Sequence, residues 1–166
     1  MNSYNGYCVS KCNDYVIPSE HKCVDKCSGK YYLANENNEC LDKCVSPSSY
    51  ITPDNKCVAK CPDNAKYHIH NSQMCVANCA STSFPYLYED ESVCLTKCYD
   101  GHKFYINTFN QKICINECTT EYSFTYGATN QCVKQCGGIY PYQNEETKTC
   151  VNKCPVNVSK DNKCVT

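Results

Sequence analysis

One cysteine motif organises the chain: C-x-x-x-C recurs nine times along the 166 residues, at steps of 15 to 20 residues. The spacing inside the motif never changes, whereas the segment between motifs varies in length. A constant motif joined by variable segments predicts tandem repeats whose length differences lie in loops. The nine runs are Cys8/Cys12, Cys23/Cys27, Cys40/Cys44, Cys57/Cys61, Cys75/Cys79, Cys94/Cys98, Cys114/Cys118, Cys132/Cys136 and Cys150/Cys154, and Cys164 begins a tenth.

The cysteine content also limits the kind of core the chain can build. The hydrophobic class makes up 42% of the sequence, but it includes 19 Cys and 15 Tyr. The aliphatic remainder is too small to offset the conformational entropy of one large domain, so covalent cross-links must contribute. We therefore expect a small disulfide-rich, mainly β fold: an elongated, solenoid-like tandem array of about nine single-disulfide β-hairpin modules without a single large core.

Each repeat reads as strand, turn and strand. An aliphatic residue follows the first Cys in all ten units, Lys precedes the second Cys in six of nine, and an aromatic residue follows in eight of nine. A polar stretch rich in Asn and Asp, which close tight turns, then separates two segments of strand-forming residues. This pattern predicts one continuous array over 1–166, which we expect to be a segment of a longer one. Its units are roughly 8–22, 23–39, 40–56, 57–74, 75–93, 94–113, 114–131, 132–149 and 150–166.

The geometry of the motif indicates which cysteines pair. In an extended run the two cysteines lie about 13 Å apart, whereas a disulfide needs Cα atoms within about 7 Å. The second Cys of one run is therefore expected to bond the first Cys of the next, and an interleaved pattern, first to first and second to second, is the alternative. The expected pairs are Cys12–Cys23, Cys27–Cys40, Cys44–Cys57, Cys61–Cys75, Cys79–Cys94, Cys98–Cys114, Cys118–Cys132, Cys136–Cys150 and Cys154–Cys164.

This pairing leaves Cys8 over, unpaired or bonded to a cysteine upstream or on another molecule. The residues from Met1 to Tyr7 lack the basic and then apolar build of a signal peptide. We therefore expect that a secretion signal was removed or lies outside this sequence.

Several runs resemble the furin-like, cysteine-rich modules of growth-factor receptors. The resemblance rests on C-V-D-K-C at 23–27 followed by N-E-N-N-E-C at 35–40, and on C-V-A-K-C-P at 57–62 and C-V-N-K-C-P at 150–155. It implies single-disulfide modules bridged from the second Cys of a run to the next Cys, and an extracellular location. The two-disulfide modules of that family add a C-x-x-C that is absent here. Tandem arrays of this kind also resemble cysteine-rich surface and secreted proteins of protists.

Other residue sets suggest sites, each beside a simpler interpretation. C-x-x-x-C lies within the spacing of structural zinc sites, although a β-branched residue after most first cysteines favours strands and disulfides. His68 and His70 share a strand face and form a candidate metal pair or two solvated histidines, whereas His21 and His102 have no evident partner. The acidic segment 89–91 suggests Ca²⁺ binding or a solvated hairpin tip. Asn157 begins the N-V-S sequon of a candidate N-glycan.

Charge and motif content exclude several functions. The net charge is −1 and every basic residue is Lys, so nothing favours nucleic-acid binding, and no apolar stretch is long enough to span a membrane. No catalytic constellation is recognisable, so we expect neither an enzyme nor a cofactor. The sequence predicts an extracellular or cell-surface structural protein that self-associates into a fibre, filament or coat, in which a lysine spine meets acidic tips. The alternative is the ectodomain stalk or antigen of a protist surface receptor, with the Tyr-rich hairpins as its recognition face.

Overall fold

The fold consists of short strands in two compact units, Met1–Asn78 and Cys79–Thr166. The computed structural model describes residues 2–4, 7–9, 11–34, 38–155 and 157–165, without the side chains of residues 4 and 7–9. The first unit contains β1 (Asn2–Tyr4), β2 (Tyr7–Val9), β3 (Tyr15–Ile17), β4 (Lys22–Val24), β5 (Tyr32–Leu33), β6 (Cys40–Leu41), β7 (Tyr50–Ile51), β8 (Cys57–Val58), β9 (Tyr67–Ile69) and β10 (Cys75–Val76). The second contains β11 (Tyr86–Tyr88), β12 (Val93–Leu95), β13 (Lys103–Ile106), β14 (Lys112–Ile115), β15 (Phe124–Tyr126), β16 (Cys132–Val133), β17 (Tyr142–Asn144), β18 (Thr149–Val151), β19 (Asn157–Val158) and β20 (Cys164–Val165).

The described helices are single 3₁₀ turns at Pro18–Glu20, Asp63–Ala65 and Cys79–Ser81. No helix among the described residues is long and apolar enough to cross a membrane. The predicted class of a small, mainly β tandem array is confirmed. The structure does not test whether the array is continuous over 1–166 with the predicted unit boundaries.

The strands pair two by two along the chain, β1 with β2, β3 with β4 and so on. Each pair is an antiparallel hairpin, and one register recurs among these hairpins. The residue after the first Cys lies directly opposite an aromatic residue on the partner strand in seven hairpins. Aromatic and branched aliphatic side chains opposite one another stabilise antiparallel pairs, which explains why both positions recur in the sequence. These pairs are Tyr15/Val24, Tyr32/Leu41, Tyr50/Val58, Tyr67/Val76, Tyr86/Leu95, Phe124/Val133 and Tyr142/Val151.

Neighbouring hairpins are joined by a second, parallel kind of pairing. The first strand of each hairpin pairs with the residue that precedes the first Cys of the next run. In the first unit the partners are Ser3/Lys22, Val16/Glu39, Leu33/Lys56 and Ile51/Met74. In the second unit they are Leu87/Ile113, Phe104/Gln131, Thr125/Thr149 and Gln143/Lys163. Each unit is therefore a ladder in which antiparallel and parallel rungs alternate.

A left-handed residue at the end of the hairpin tip forms six of these eight parallel rungs. Six such residues lie two positions before a Cys, have φ between 50° and 63°, and accept a backbone hydrogen bond of 2.7–3.0 Å from the preceding hairpin. Asn tolerates this conformation better than most residues, and the hairpin connection, a turn followed by a left-handed residue, is a common one. The six residues are His21, Asn38, Asn55, Gln73, Lys148 and Asn162.

Gln73 allows a test of whether the left-handed position is strained. Its φ is 56°, although glutamine has no preference for this conformation. Gln73→Gly is expected to raise the free energy of unfolding by about 0.5–1 kcal/mol, since relief of about 1–2 kcal/mol of left-handed strain exceeds the added backbone entropy of glycine. Gln73→Ala, which keeps the strained Cβ, is the matched control and is expected to give no gain. Chemical denaturation of the two variants makes the comparison, and an equal gain in both would contradict the strain argument.

The register also sets the side of the ladder on which each disulfide lies. A strand residue opposite one Cys pairs in parallel with the residue just before the next Cys; Val16, for example, lies opposite Cys23 and beside Glu39. Paired residues share a face, and adjacent residues point to opposite faces. The strand cysteines Cys23 and Cys40 therefore lie on opposite sides, and this alternation continues within each unit.

The alternation places the side chains of one hairpin over the disulfide of the next. Tyr15, Val24 and buried Ile17 pack against the Cys27–Cys40 disulfide. In the same way, Tyr32 packs on Cys44–Cys57, and Tyr50 with Val58 on Cys61–Cys75. The small cores thus combine a disulfide with the aromatic and aliphatic residues of the preceding hairpin.

The C-x-x-x-C run itself is not extended over its full length. Only the first Cys and the aliphatic residue belong to a strand, and a bend follows over the next two residues, as at Asp25 and Lys26. The bend turns the lysine outward while the second Cys enters the next core. All six lysines of this position are exposed: Lys11, Lys26, Lys43, Lys60, Lys97 and Lys153.

The largest pKa shift among the described residues occurs in the hairpin tip at residues 52–56. Buried Thr52 donates its hydroxyl to Asp54 Oδ1 at 2.6 Å, and Lys56 Nζ lies 2.8 Å from Asp54 Oδ2. The hydrogen bond from Lys56, followed by that from Thr52, lowers the pKa of Asp54 to about 2. This tip therefore depends on an ionised carboxylate.

The pKa of Asp54 gives a pH dependence with a definite sign. Because the folded value is below the ordinary 3.8, the contribution of Asp54 to stability is present above pH 3.8 and is lost as the pH falls from 3.8 towards about 2. A carboxyl NMR titration is expected to give a midpoint near 2, and Lys56→Met is expected to raise it. Lys60→Met is the control and is expected to leave the midpoint unchanged. A wild-type midpoint near 3.8 would contradict the assignment.

Candidate functional site

Eighteen of the cysteines form nine disulfides, and each disulfide closes one hairpin. Most of these cysteines are buried, and Cys79 and Cys94 are completely so. The pairs join the second Cys of one run to the first of the next, which is the pairing the extended run indicated. They are Cys12–Cys23, Cys27–Cys40, Cys44–Cys57, Cys61–Cys75, Cys79–Cys94, Cys98–Cys114, Cys118–Cys132, Cys136–Cys150 and Cys154–Cys164.

The observed disulfides differ from the two alternatives for the cysteines, which were an interleaved pairing and structural zinc sites. An interleaved pairing does not occur among them, and eighteen bonded sulfurs leave no thiolate of these residues for a zinc site. Cys8 lies in β2, opposite Ser3, but its side chain lies outside the described residues. The prediction that it is unpaired or intermolecular stays a prediction.

The two histidines of the candidate metal pair lie at the end of β9. His68 is opposite Cys75, and its ring meets Tyr50 with centroids 4.9 Å apart. His70 lies just beyond the strand and is exposed. Over the part of the chain that the structure describes, no three His, Cys, Asp or Glu side chains come together as metal ligands.

The remaining candidate residues lie at exposed positions. Asn157 is exposed at the start of β19, and the structure does not test whether it carries a glycan. The acidic segment 89–91 is exposed in the turn between β11 and β12, where Ser92 N–H donates to the Glu89 carbonyl at 3.1 Å. This placement is that of a hairpin tip, and Ca²⁺ binding there has no further support.

The second unit contains a groove of about 260 Å³ that the sequence motifs did not identify. Its lining comes from the hairpins closed at Cys94, Cys114 and Cys132 and includes polar side chains, those of Lys97, Asp100 and Asn130. It also includes four rings, those of Tyr86, Tyr99, His102 and Phe104. Lys97 and Asp100 form an exposed ion pair at 3.1 Å, so their charges balance.

A hydrogen-bond chain links two of these ring residues, Tyr99 and His102, through Tyr88. The Tyr88 hydroxyl accepts the Tyr99 backbone N–H at 2.8 Å and shares a hydrogen bond with His102 Nδ1. The rings of Tyr88 and Tyr99 lie 4.5 Å apart at 30°, and burial raises the pKa of the Tyr88 phenol. The expectation that His102 has no partner was wrong, because the partner comes from the preceding hairpin, where no local motif marks it.

Further aromatic contacts join successive hairpins of this unit. Tyr105 stacks on Tyr122 with centroids 4.4 Å apart, and burial raises the pKa of the Tyr105 phenol. Tyr126 and Tyr140 meet nearly perpendicularly at 5.0 Å. The aromatic repeat in the sequence indicated strands, but it did not indicate these pairs because their positions shift with loop length.

Comparisons with known proteins give no relative. No protein-family model, curated protein or solved structure matches the chain. The resemblance to furin-like receptor modules therefore stays a prediction. The nine disulfides in a small chain are themselves typical of proteins that fold in an oxidising, extracellular or secretory environment.

Proposed function

We propose that this protein is an extracellular structural protein, a disulfide-stapled repeat subunit of a fibre, filament or surface coat. The observation that carries the proposal is that each disulfide-closed hairpin of a unit is joined to the next by a backbone rung. Stability is thereby spread over many small covalent loops instead of one core. Such a construction suits resistance to unfolding and proteolysis, because a local opening does not expose the rest of the unit.

Electron microscopy of the native material tests this function. Filaments or sheets that come apart under reducing agent support a structural role that depends on the disulfides. Monodisperse particles at every concentration, with and without reducing agent, would overturn it. Recombinant protein refolded under oxidising conditions is the control for bound partners from the source material.

The exposed lysines bear on how copies associate. Of the six lysines next to a second Cys, Lys97 has an ion pair within the chain, with Asp100, and all six are exposed. We propose that lysines of one copy meet acidic hairpin tips of another. Single exposed pairs contribute little, so a repeating network is required. Assemblies that dissolve in reducing agent but resist high salt would contradict this electrostatic version while leaving the structural role intact.

A second candidate function, the ligand-binding ectodomain of a cysteine-rich protist surface receptor, is favoured by the groove at Tyr99 and His102. Planar aromatic surface beside balanced polar groups suits a neutral, hydroxyl-rich ligand such as a saccharide. Neutral oligosaccharides titrated into labelled protein should then shift the NMR signals of Tyr99 and His102 before any others. The full-length gene separates the two functions further, because a receptor stalk requires a membrane anchor.

A further inference from the structure

The rings of Tyr88 and Tyr99 contact each other between two hairpins of the second unit. Tyr88 belongs to β11, in the loop closed by Cys79–Cys94, whereas Tyr99 follows Cys98 in the loop closed by Cys98–Cys114. Their ring centroids are 4.5 Å apart and their ring planes are inclined by 30°, and Tyr99 is 44% exposed. The two phenols therefore lie in contact across the boundary between two hairpins, one of them open to solvent.

We propose that Tyr88 and Tyr99 form an oxidative cross-linking site, at which a haem peroxidase and hydrogen peroxide convert the two side chains into dityrosine. Each phenol loses one electron and one proton. The two radicals then join through a bond between ring carbons ortho to the hydroxyls, and the hydrogens on those carbons move to the oxygens. Hydrogen peroxide takes up the two electrons and two protons and leaves as two molecules of water.

His102 offers Tyr88 a proton acceptor. Its Nδ1 shares a hydrogen bond with the Tyr88 hydroxyl, which also accepts the Tyr99 N–H, and Nδ1 accepts the phenolic proton in the tautomer that carries its own proton on Nε2. Burial disfavours the phenolate of Tyr88, so an electron leaves this side chain more readily when the proton moves to a positioned base at the same time. The Tyr99 hydroxyl donates to Glu91 Oε2 at 3.5 Å, and its ring is 44% exposed, so its proton can pass to this carboxylate or to water.

The contact between the two rings allows the coupling to occur within one molecule. Because the rings are already in contact, bond formation does not require two chains to meet. Ring contact alone does not single out this pair, because Tyr105 and Tyr122 lie as close, with centroids 4.4 Å apart at 28°; the distinguishing feature of Tyr88 is its hydrogen bond to His102.

Tyr126 and Tyr140 give the contrasting geometry, since their rings are perpendicular at 87°. Tyr140 is also confined by Gly127, where an added Cβ would lie 2.4 Å from the ring. Its edge faces the π surface of Tyr126 and not the carbons that must join.

Such a bond would add a connection of a new kind. Among the described residues every disulfide lies within one hairpin, so the two hairpins of this site are joined covalently through the main chain alone. A dityrosine at this position links two hairpins side by side and survives reducing agent. The site rests on the geometry of the second unit, and its test does not depend on whether the protein forms filaments.

The test is peroxidase treatment of the full chain at micromolar concentration, followed by reduction, alkylation and trypsin digestion. Peptides 67–97 and 98–103 should be recovered as one species, two hydrogens lighter than their sum, with the bond mapped to Tyr88 and Tyr99. Its yield should exceed that of a Tyr126–Tyr140 link at least about tenfold, the advantage of preformed contact. Dityrosine that is absent, or spread evenly over many tyrosine pairs, would overturn the proposal.

Variants separate the roles of the three side chains. Tyr88→Phe and Tyr99→Phe preserve ring packing and should each abolish the linked species, whereas Tyr142→Phe should leave it unchanged. His102→Phe should lower the yield about tenfold or more, as expected for the loss of a positioned base. An unchanged yield in His102→Phe, with all nine disulfides intact by mass, would remove His102 from the proposal.

Discussion

Replacing both Cys79 and Cys94 with alanine is expected to lower the free energy of unfolding of their hairpin by about 3 kcal/mol, the entropy of releasing a loop of about 15 residues. The two residues are separated by 15 positions and are completely buried. Alanine leaves no free thiol and no buried polar group. Native-state hydrogen exchange of the amides in β11 and β12 measures the loss, because it reports local opening separately from global unfolding.

A second double variant, Cys118→Ala with Cys132→Ala, is the matched control. Its loop is of similar length, with a separation of 14, and it lies in the same unit. Its amides of β15 and β16 should lose protection while β11 and β12 change little. Equal loss of protection throughout the unit in both variants would show a single cooperative unit and contradict the description of locally closed hairpins.

Leu87→Ala is expected to cost about 2–5 kcal/mol, the usual range for truncating a fully buried leucine. Leu87 is 0% exposed and lies between two hairpins, opposite Cys94 in its own and beside Ile113 in the next. The cavity therefore weakens both an antiparallel and a parallel rung. Chemical denaturation should show the loss, and hydrogen exchange should show it in β12 and β14 together.

Ile139→Ala controls for the removal of aliphatic carbon as such. Ile139 belongs to the same unit but is 72% exposed, so its truncation should change stability by no more than about 0.5 kcal/mol. Exchange faster in β12 but unchanged in β14 for Leu87→Ala would contradict the role of Leu87 as a link between hairpins.

The hairpins themselves could be predicted from the sequence because their signals are local. A fixed four-residue spacing between cysteines, one aliphatic residue and an aromatic–polar–aliphatic succession define each strand, turn and strand. Tyr15 and Val24, for example, lie opposite one another as two strand-forming residues either side of a tip. The nine disulfide pairs in the structure are those inferred from the sequence. The inference was that the two cysteines of one extended run lie too far apart to bond each other, so each must bond a cysteine of another run.

The parallel rungs could not be predicted because their signal is weak and non-local. Asn38, Asn55, Asn162 and His21 carry residue types that tolerate left-handed backbone, but Gln73 and Lys148 adopt the same conformation without such a preference. The backbone position, and not the side chain, therefore defines the rung. The bend inside each C-x-x-x-C run was also missed, since no glycine or proline marks it.

The candidate site was missed for a related reason. Tyr88 and His102 are 14 residues apart in different hairpins, and the parallel register brings them together. Neither lies at a fixed distance from its nearest cysteine run, so comparing the repeats does not reveal the pair. The left-handed positions do not mark this register either, because Lys112, two residues before Cys114, lies within β14 and has no positive φ.

The alternation of disulfides between the two sides of the ladder limits how such a gene can grow. Duplicating one hairpin would turn over every later hairpin of the unit, so that residues facing one way in the parent would face the other way in the descendant. Duplicating two hairpins restores the original orientation. Where a particular outer face is under selection, repeat number should therefore change in steps of two, and gene copies that differ by one hairpin should have lost the residues of that face.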